Sequence, residues 1–131
     1  MKYFLASFTG LLILLSCSNS SKECLTDGQY VFKFGKISTT IPDLEITGNK
    51  YTFFRKGSVR EQGKFERLNN CRYNFITENV VPDSTISNDI RPGDKQQWKI
   101  LSSNNDTLKF NFTSEQQSGQ GWIVRIKKIE H

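Results

Sequence analysis

From Gly28 onward, apolar side chains return at every second residue, and no segment carries a sustained helical stripe. GQYVFKF sets Tyr30, Phe32 and Phe34 on one face, and DLEIT sets Leu44 with Ile46. NCRYNFITE alternates Cys71, Tyr73 and Phe75 against Arg72, Asn74 and Ile76. QQWKIL aligns Trp98 with Ile100, DTLKFNFT aligns Leu108, Phe110 and Phe112, and GWIVRIKKI aligns Trp122, Val124 and Ile126. A two-residue period makes strands with one apolar and one polar face. The punctuation between runs is hairpin chemistry: Gly48 with Asn49, the polar SSNND, and the glycines of SGQG. Gly63, inside a polar run, marks a bulge or a bend. Asn79 to Lys95, with Pro82 and Pro92, is the longest stretch without strand pattern and therefore a candidate functional loop.

About eight such strands in about 100 residues predict an all-β domain, a small antiparallel barrel or sandwich. Closure into a barrel removes the exposed edges that invite aggregation, so the barrel is preferred over a one-sided sheet.

The N-terminus is of another kind. Lys2, an apolar run ending in Leu11, Leu12, Ile13, Leu14 and Leu15, and the small Ser16 describe a secretory signal over residues 1–16, too short to span a bilayer comfortably. At its exit Leu14, Leu15, Ser16 and Cys17 resemble a bacterial lipobox. That resemblance implies that Cys17 is acylated and becomes the new N-terminus, and three acyl chains would hold the protein on a membrane where one binds only marginally. SNSSK then reads as a tether, so the chain divides into a signal peptide (1–16), a lipidated cysteine with its tether (17–23) and a β domain (24–131). The chain has three cysteines. With Cys17 given to lipid, Cys24 and Cys71 are left as an even pair, expected to form a disulfide around 46 intervening residues. On the chain-entropy estimate such a bridge stabilises by roughly 4 kcal/mol.

Charge and residue inventory remove several function classes. Of the 18 Lys and Arg only Lys2 lies in the signal, leaving 17 against 13 Asp and Glu, a net of about +4 for the mature chain. No basic run exceeds Lys127 with Lys128, so nucleic acid is not an expected partner. The single histidine is His131, the last residue, which leaves His-based catalysis without a held general base. His and Cys clusters for a metal are missing, and Gly119 and Gly121 lack the rest of any phosphate-binding loop. The expectation is a non-enzymatic protein with no catalytic residue, no metal and no cofactor.

Two features are left as candidate binding elements. Seven basic residues lie between Lys50 and Arg72, and Arg55, Arg60 and Arg72 form a basic patch if neighbouring strands turn them outward together. The plainer reading is solvated strand faces that resist edge pairing. The second feature is aromatic: Tyr30, Phe32, Phe34, Tyr51, Phe53, Phe65, Tyr73, Phe75, Trp98, Phe110, Phe112 and Trp122 either fill the barrel, the default, or line a cavity for one small apolar ligand. Trp98 and Trp122 also bring polar tips suited to a pocket mouth.

Taken together, the lipobox LLSC, the opening DGQYVFKF, the pair ITGNKYTFF and the strand NNCRYNF resemble small Bacteroidetes-type lipoproteins with a lipocalin-like or calycin-like β domain. The resemblance implies an outer-membrane lipoprotein of the cell envelope, held by its N-terminal lipid. The leading expectation is a binding module for a small apolar ligand or an envelope protein. Two alternatives are an inhibitor that protects against an envelope-targeting hydrolase such as lysozyme, and a structural subunit of an envelope assembly.

Overall fold

A computed structural model describes residues 23–33, 41–82 and 90–129 of the chain. The signal region, Cys17, Phe34 and the middle of the 79–95 stretch lie outside the described residues. Eight strands among them form β1 (Gly28–Phe32), β2 (Leu44–Thr47), β3 (Lys50–Arg55), β4 (Ser58–Arg67), β5 (Arg72–Val80), β6 (Lys95–Asn104), β7 (Thr107–Thr113) and β8 (Ser118–Lys128). Each pairs antiparallel with the next, and β1 pairs with β8, giving a closed up-and-down barrel of the lipocalin-like kind. The barrel, not the sandwich or the one-sided sheet, is the fold.

The expected alternation sets the inward faces. Tyr30, Leu44, Ile46, Tyr51, Phe65, Tyr73, Phe75, Trp98, Ile100, Leu108, Phe110 and Ile123 form one buried core, with Phe32, Phe53 and Phe112 packed against it. β8 departs from the expected face. Ile123 is fully buried, whereas Trp122 is 43% exposed, so the alignment of Trp122, Val124 and Ile126 gave the wrong side of the strand. The cause lies on β7: its Phe110 and Phe112 rings occupy the space in front of Gly121 and Gly119. A Cβ on Gly121 would stand 2.9 Å from Phe110 Cζ, and one on Gly119 would stand 3.0 Å from Phe112 Cε1. These glycines of SGQG therefore do more than turn a hairpin; they make room for rings inside the barrel.

Gly63 marks a bulge, as its position suggested, with Glu78 of β5 as the extra residue. The β4–β5 register shifts between Gln62 and Gly63, and a second shift, between Phe53 and Phe54 on β3, leaves Arg60 as an extra residue on β4.

One end of the barrel is sealed by the segment that leads into β1. Cys24 and Cys71 form the expected disulfide, with Cα atoms 5.1 Å apart. Leu25 is buried, and its N–H donates to the Tyr73 hydroxyl at 2.7 Å. The Tyr30 hydroxyl closes a local loop, donating to Thr26 O at 2.7 Å. Asp27 accepts from Arg67 Nη2 at 2.8 Å and from Gly48 N at 3.0 Å, and Arg125 Nη2 reaches Glu23 at 3.1 Å. The N-terminal segment thus meets several donors at this end, Gly48 N, Arg67 Nη2 and the Tyr30 hydroxyl among them, while the buried Arg125 Nε has no partner among the described residues.

Candidate binding site at the barrel mouth

The opposite end is built differently. β1 leaves and β2 enters there, as do β3 and β4, β5 and β6, and β7 and β8. Between these ends lies a cavity of about 440 Å³. Its most deeply buried lining residues are Phe75, Thr77 and Glu61, while Gly93, Lys95, Glu115, Gln116 and Gln117 stand exposed at the rim.

Below the cavity the interior is full. Trp98 stacks on Phe110 with centroids 4.0 Å apart, and Phe75 lies 4.7 Å from Trp98 on its other side. Phe53 is 5.5 Å from Phe75, and Phe32 is 6.1 Å from Phe53. A hollow apolar barrel needs these rings to part; here they meet, so any ligand space is at the mouth. The Trp98 indole N–H donates to Gln96, the polar residue two positions along the same inward face.

A small polar group sits where the rings end. The Tyr51 hydroxyl donates to Glu61 Oε2 at 2.5 Å, and the Thr77 hydroxyl donates to the same oxygen at 3.0 Å. Burial pushes the Tyr51 phenol well above the ordinary tyrosine value, and the hydrogen bond to Glu61 and its charge push the same way. Tyr73, at the sealed end, is also raised, chiefly by burial and against the bond from Leu25.

Both tyrosines therefore hold their protons longer folded than unfolded. The unfolded chain loses them first, near the ordinary value of 10.0, so their contribution is complete below that pH and lost as pH rises above it. Urea midpoints should be flat with respect to these groups up to about pH 9 and fall through about pH 10 to 11, and combining Tyr51→Phe with Tyr73→Phe should make that fall shallower.

The residues singled out in the sequence do not converge. Arg55 ends β3 at the mouth, and Arg60 lies in β4 near the same end, where its Nη1 donates to Val81 O at 2.8 Å. Arg72 begins β5 at the sealed end and bonds Asn69 O. Most of the length of β4 separates Arg55 and Arg60 from Arg72, so the three arginines do not form one basic patch. Of the other basic residues in that run, Arg67 is tied to Asp27, and Lys64 lies 3.7 Å from Glu66. Trp98 is core, 2% exposed, whereas Trp122 lies on the outer wall with Lys109 Nζ 5.4 Å from its ring centroid.

Glu61, Thr77 and Gln96, which do line the cavity, were missed. A signal for them exists: each is in phase with its strand's inward apolar residues, Glu61 with Phe65, Thr77 with Phe75 and Gln96 with Trp98. Among the described residues no group of three His, Cys, Asp or Glu side chains could hold a metal ion, and no helix is long and apolar enough to cross a membrane. Comparisons with protein-family models, with curated proteins and with solved structures found no match to this chain.

Proposed function

We propose that the chain is a lipid-anchored, non-enzymatic binding module of the cell envelope whose working surface is the barrel mouth. The observation that carries this reading is the asymmetry of the two ends. One is closed by a disulfide and a hydrogen-bonded plug; the other opens onto a 440 Å³ cavity with aromatic rings beneath and polar side chains around it. A cavity of that size is within the range that takes small ligands or a side chain from a partner.

The lipobox-like LLSC gives the ends different roles. Only six residues separate Cys17 from Cys24, and Cys24 is bonded at the sealed end. Such a tether reaches at most about 25 Å, so a lipid on Cys17 keeps the sealed end toward the bilayer and turns the mouth outward. An inward ligand is not part of the proposal, because the rings fill that space. Exposed Ile41, Val59, Val81 and Ile90 near the mouth supply apolar contact area for a small ligand or an envelope protein.

Site-specific photo-crosslinking in the envelope tests this. A photoreactive amino acid at Gln117, on the mouth, should capture discrete partners or ligands, whereas one at Asn105, at the sealed end, should capture lipid or nothing. Equal capture at both positions would overturn the assignment of the mouth as the working surface. Cys17→Ser should move the protein out of the membrane fraction, and retention there would remove the lipid anchor from the proposal.

A further inference from the structure

The mouth cavity is acidic in a basic protein. Its lining includes Glu61, Asp94 and Glu115 against Lys95 alone, within a chain of formal net charge +5. The three carboxylates are not equivalent. Asp94 Oδ2 accepts from Arg91 N at 2.8 Å and holds the turn before β6, and Glu115 is exposed at the rim. Glu61 is only 8% exposed, and both of its hydrogen bonds, from Tyr51 and Thr77, go to Oε2. Among the described residues no hydrogen bond or ion pair reaches Oε1. Among the described residues the fully buried side-chain atoms without a partner are Asn74 Oδ1 and Arg125 Nε, so Oε1 keeps contact with the cavity, where a charged donor from a ligand can reach it.

From this geometry we infer that the cavity binds an alkylammonium group, which donates to Glu61 Oε1 while its carbon stem lies against Phe53, Phe75 and Ile90. The inference rests on the mouth being the binding face and names what that face takes. Several observations select the ligand class. A metal ion needs several ligands that the cavity does not bring together. A guanidinium pairs best with both oxygens of a carboxylate, and here Oε2 is already engaged twice. An ammonium is a compact charge that one oxygen can satisfy, and the Phe53 and Phe75 rings line the same cavity, where aromatic side chains attract a cation. The same group ends a free diamine and the lysine side chain of a partner protein.

The test uses the full chain in detergent, with amide shifts read by ¹H–¹⁵N NMR during titration with n-butylammonium, 1-butanol and n-butyrate. Butylammonium should move the amides of Thr77, Gly93, Gln96 and Gln117, and bind about tenfold more tightly than butanol, with butyrate weakest. Glu61→Gln should erase the preference for ammonium over butanol while the amides of Leu25 and Tyr73 at the sealed end stay in place. Glu115→Gln, at an exposed position that leaves the interior intact, should weaken butylammonium about twofold. Equal affinity for butylammonium and butanol, or shifts outside the mouth, would overturn the inference. Mouth shifts with butanol but no ammonium preference would leave the broader binding proposal standing. A titration with 1,4-diaminobutane and with Nα-acetyl-lysine amide separates the two sources. Tighter diamine binding identifies a free polyamine, and tighter binding of the lysine derivative identifies a partner's side chain.

Discussion

Gly63→Ala should be among the most destabilising single changes in this chain, costing about 3 to 5 kcal/mol in urea unfolding, against less than about 0.5 kcal/mol for the neighbouring exposed Lys64→Ala. A Cβ at residue 63 would stand 2.0 Å from the carbonyl oxygen of Ile76 and 2.9 Å from Tyr51 Cε1. No rotamer relieves this, because a Cβ is fixed by the backbone, and the nearest obstacle is itself backbone. The variant has to reopen the bulge at Gln62 and Gly63, which carries Glu61 and Val80 into register at the mouth. With total stability of roughly 5 to 15 kcal/mol for a domain of this kind, the loss brings the barrel close to its unfolding threshold. The structural consequence is equally specific. Repairing the clash by flattening the bulge would draw Glu78, the extra residue on β5, into the ladder and slip Asn79 and Val80 by one position against Gln62 and Glu61. If Gly63→Ala instead unfolds at the wild-type urea midpoint, the close approach of β4 and β5 at this point is wrong.

Most of the strand architecture was legible because alternation is local. Tyr73 and Phe75 face inward for the same reason that Arg72 faces out, and a reader of nine residues can see it. β8 was misread because its inward positions are defined by another strand. Gly119 and Gly121 carry no side chain to announce their face, and the rings that need their space belong to Phe112 and Phe110. With no side chain at Gly119 and Gly121, the apolar residues Trp122, Val124 and Ile126 form the more conspicuous row in the sequence. The arginine patch failed for a related reason. Charge density along a hairpin does not say at which end of the barrel each charge stands, and Arg60 and Arg72 flank opposite ends of β4. The mouth was passed over because its polar residues looked like interruptions. Glu61 stands within a basic run, although its phase with Gly63 and Phe65 already placed it inside.

Removing the disulfide by combining Cys24→Ser with Cys71→Ser should cost about 4 kcal/mol on the chain-entropy estimate for a loop of this length. The bridge spans a sequence separation of 47 and ties the segment before β1 to the residue just before β5. Its loss should not be felt evenly. The plug keeps its bonds from Glu23 N to Ser103 and from Leu25 N to Tyr73, but these are single contacts that each contribute about 1 kcal/mol net. Hydrogen exchange should therefore quicken first at the amides of Leu25 and Thr26, then at Gly28 and Tyr30 of β1, while Thr77 and Gln96 at the mouth keep their protection until global unfolding. Uniform acceleration at both ends would mean that the plug and barrel open as one unit and that the sealed end has no separate stability. A loss well under 4 kcal/mol, with the plug still protected, would mean that Leu25 and its hydrogen bonds hold the segment without covalent help. With the lipid anchor of the proposed function in place, tension on the tether reaches the domain at Cys24. The disulfide would then deliver that tension to Cys71 and β5 and spare the plug, so the reduced protein should lose mouth orientation at the membrane before it loses the barrel.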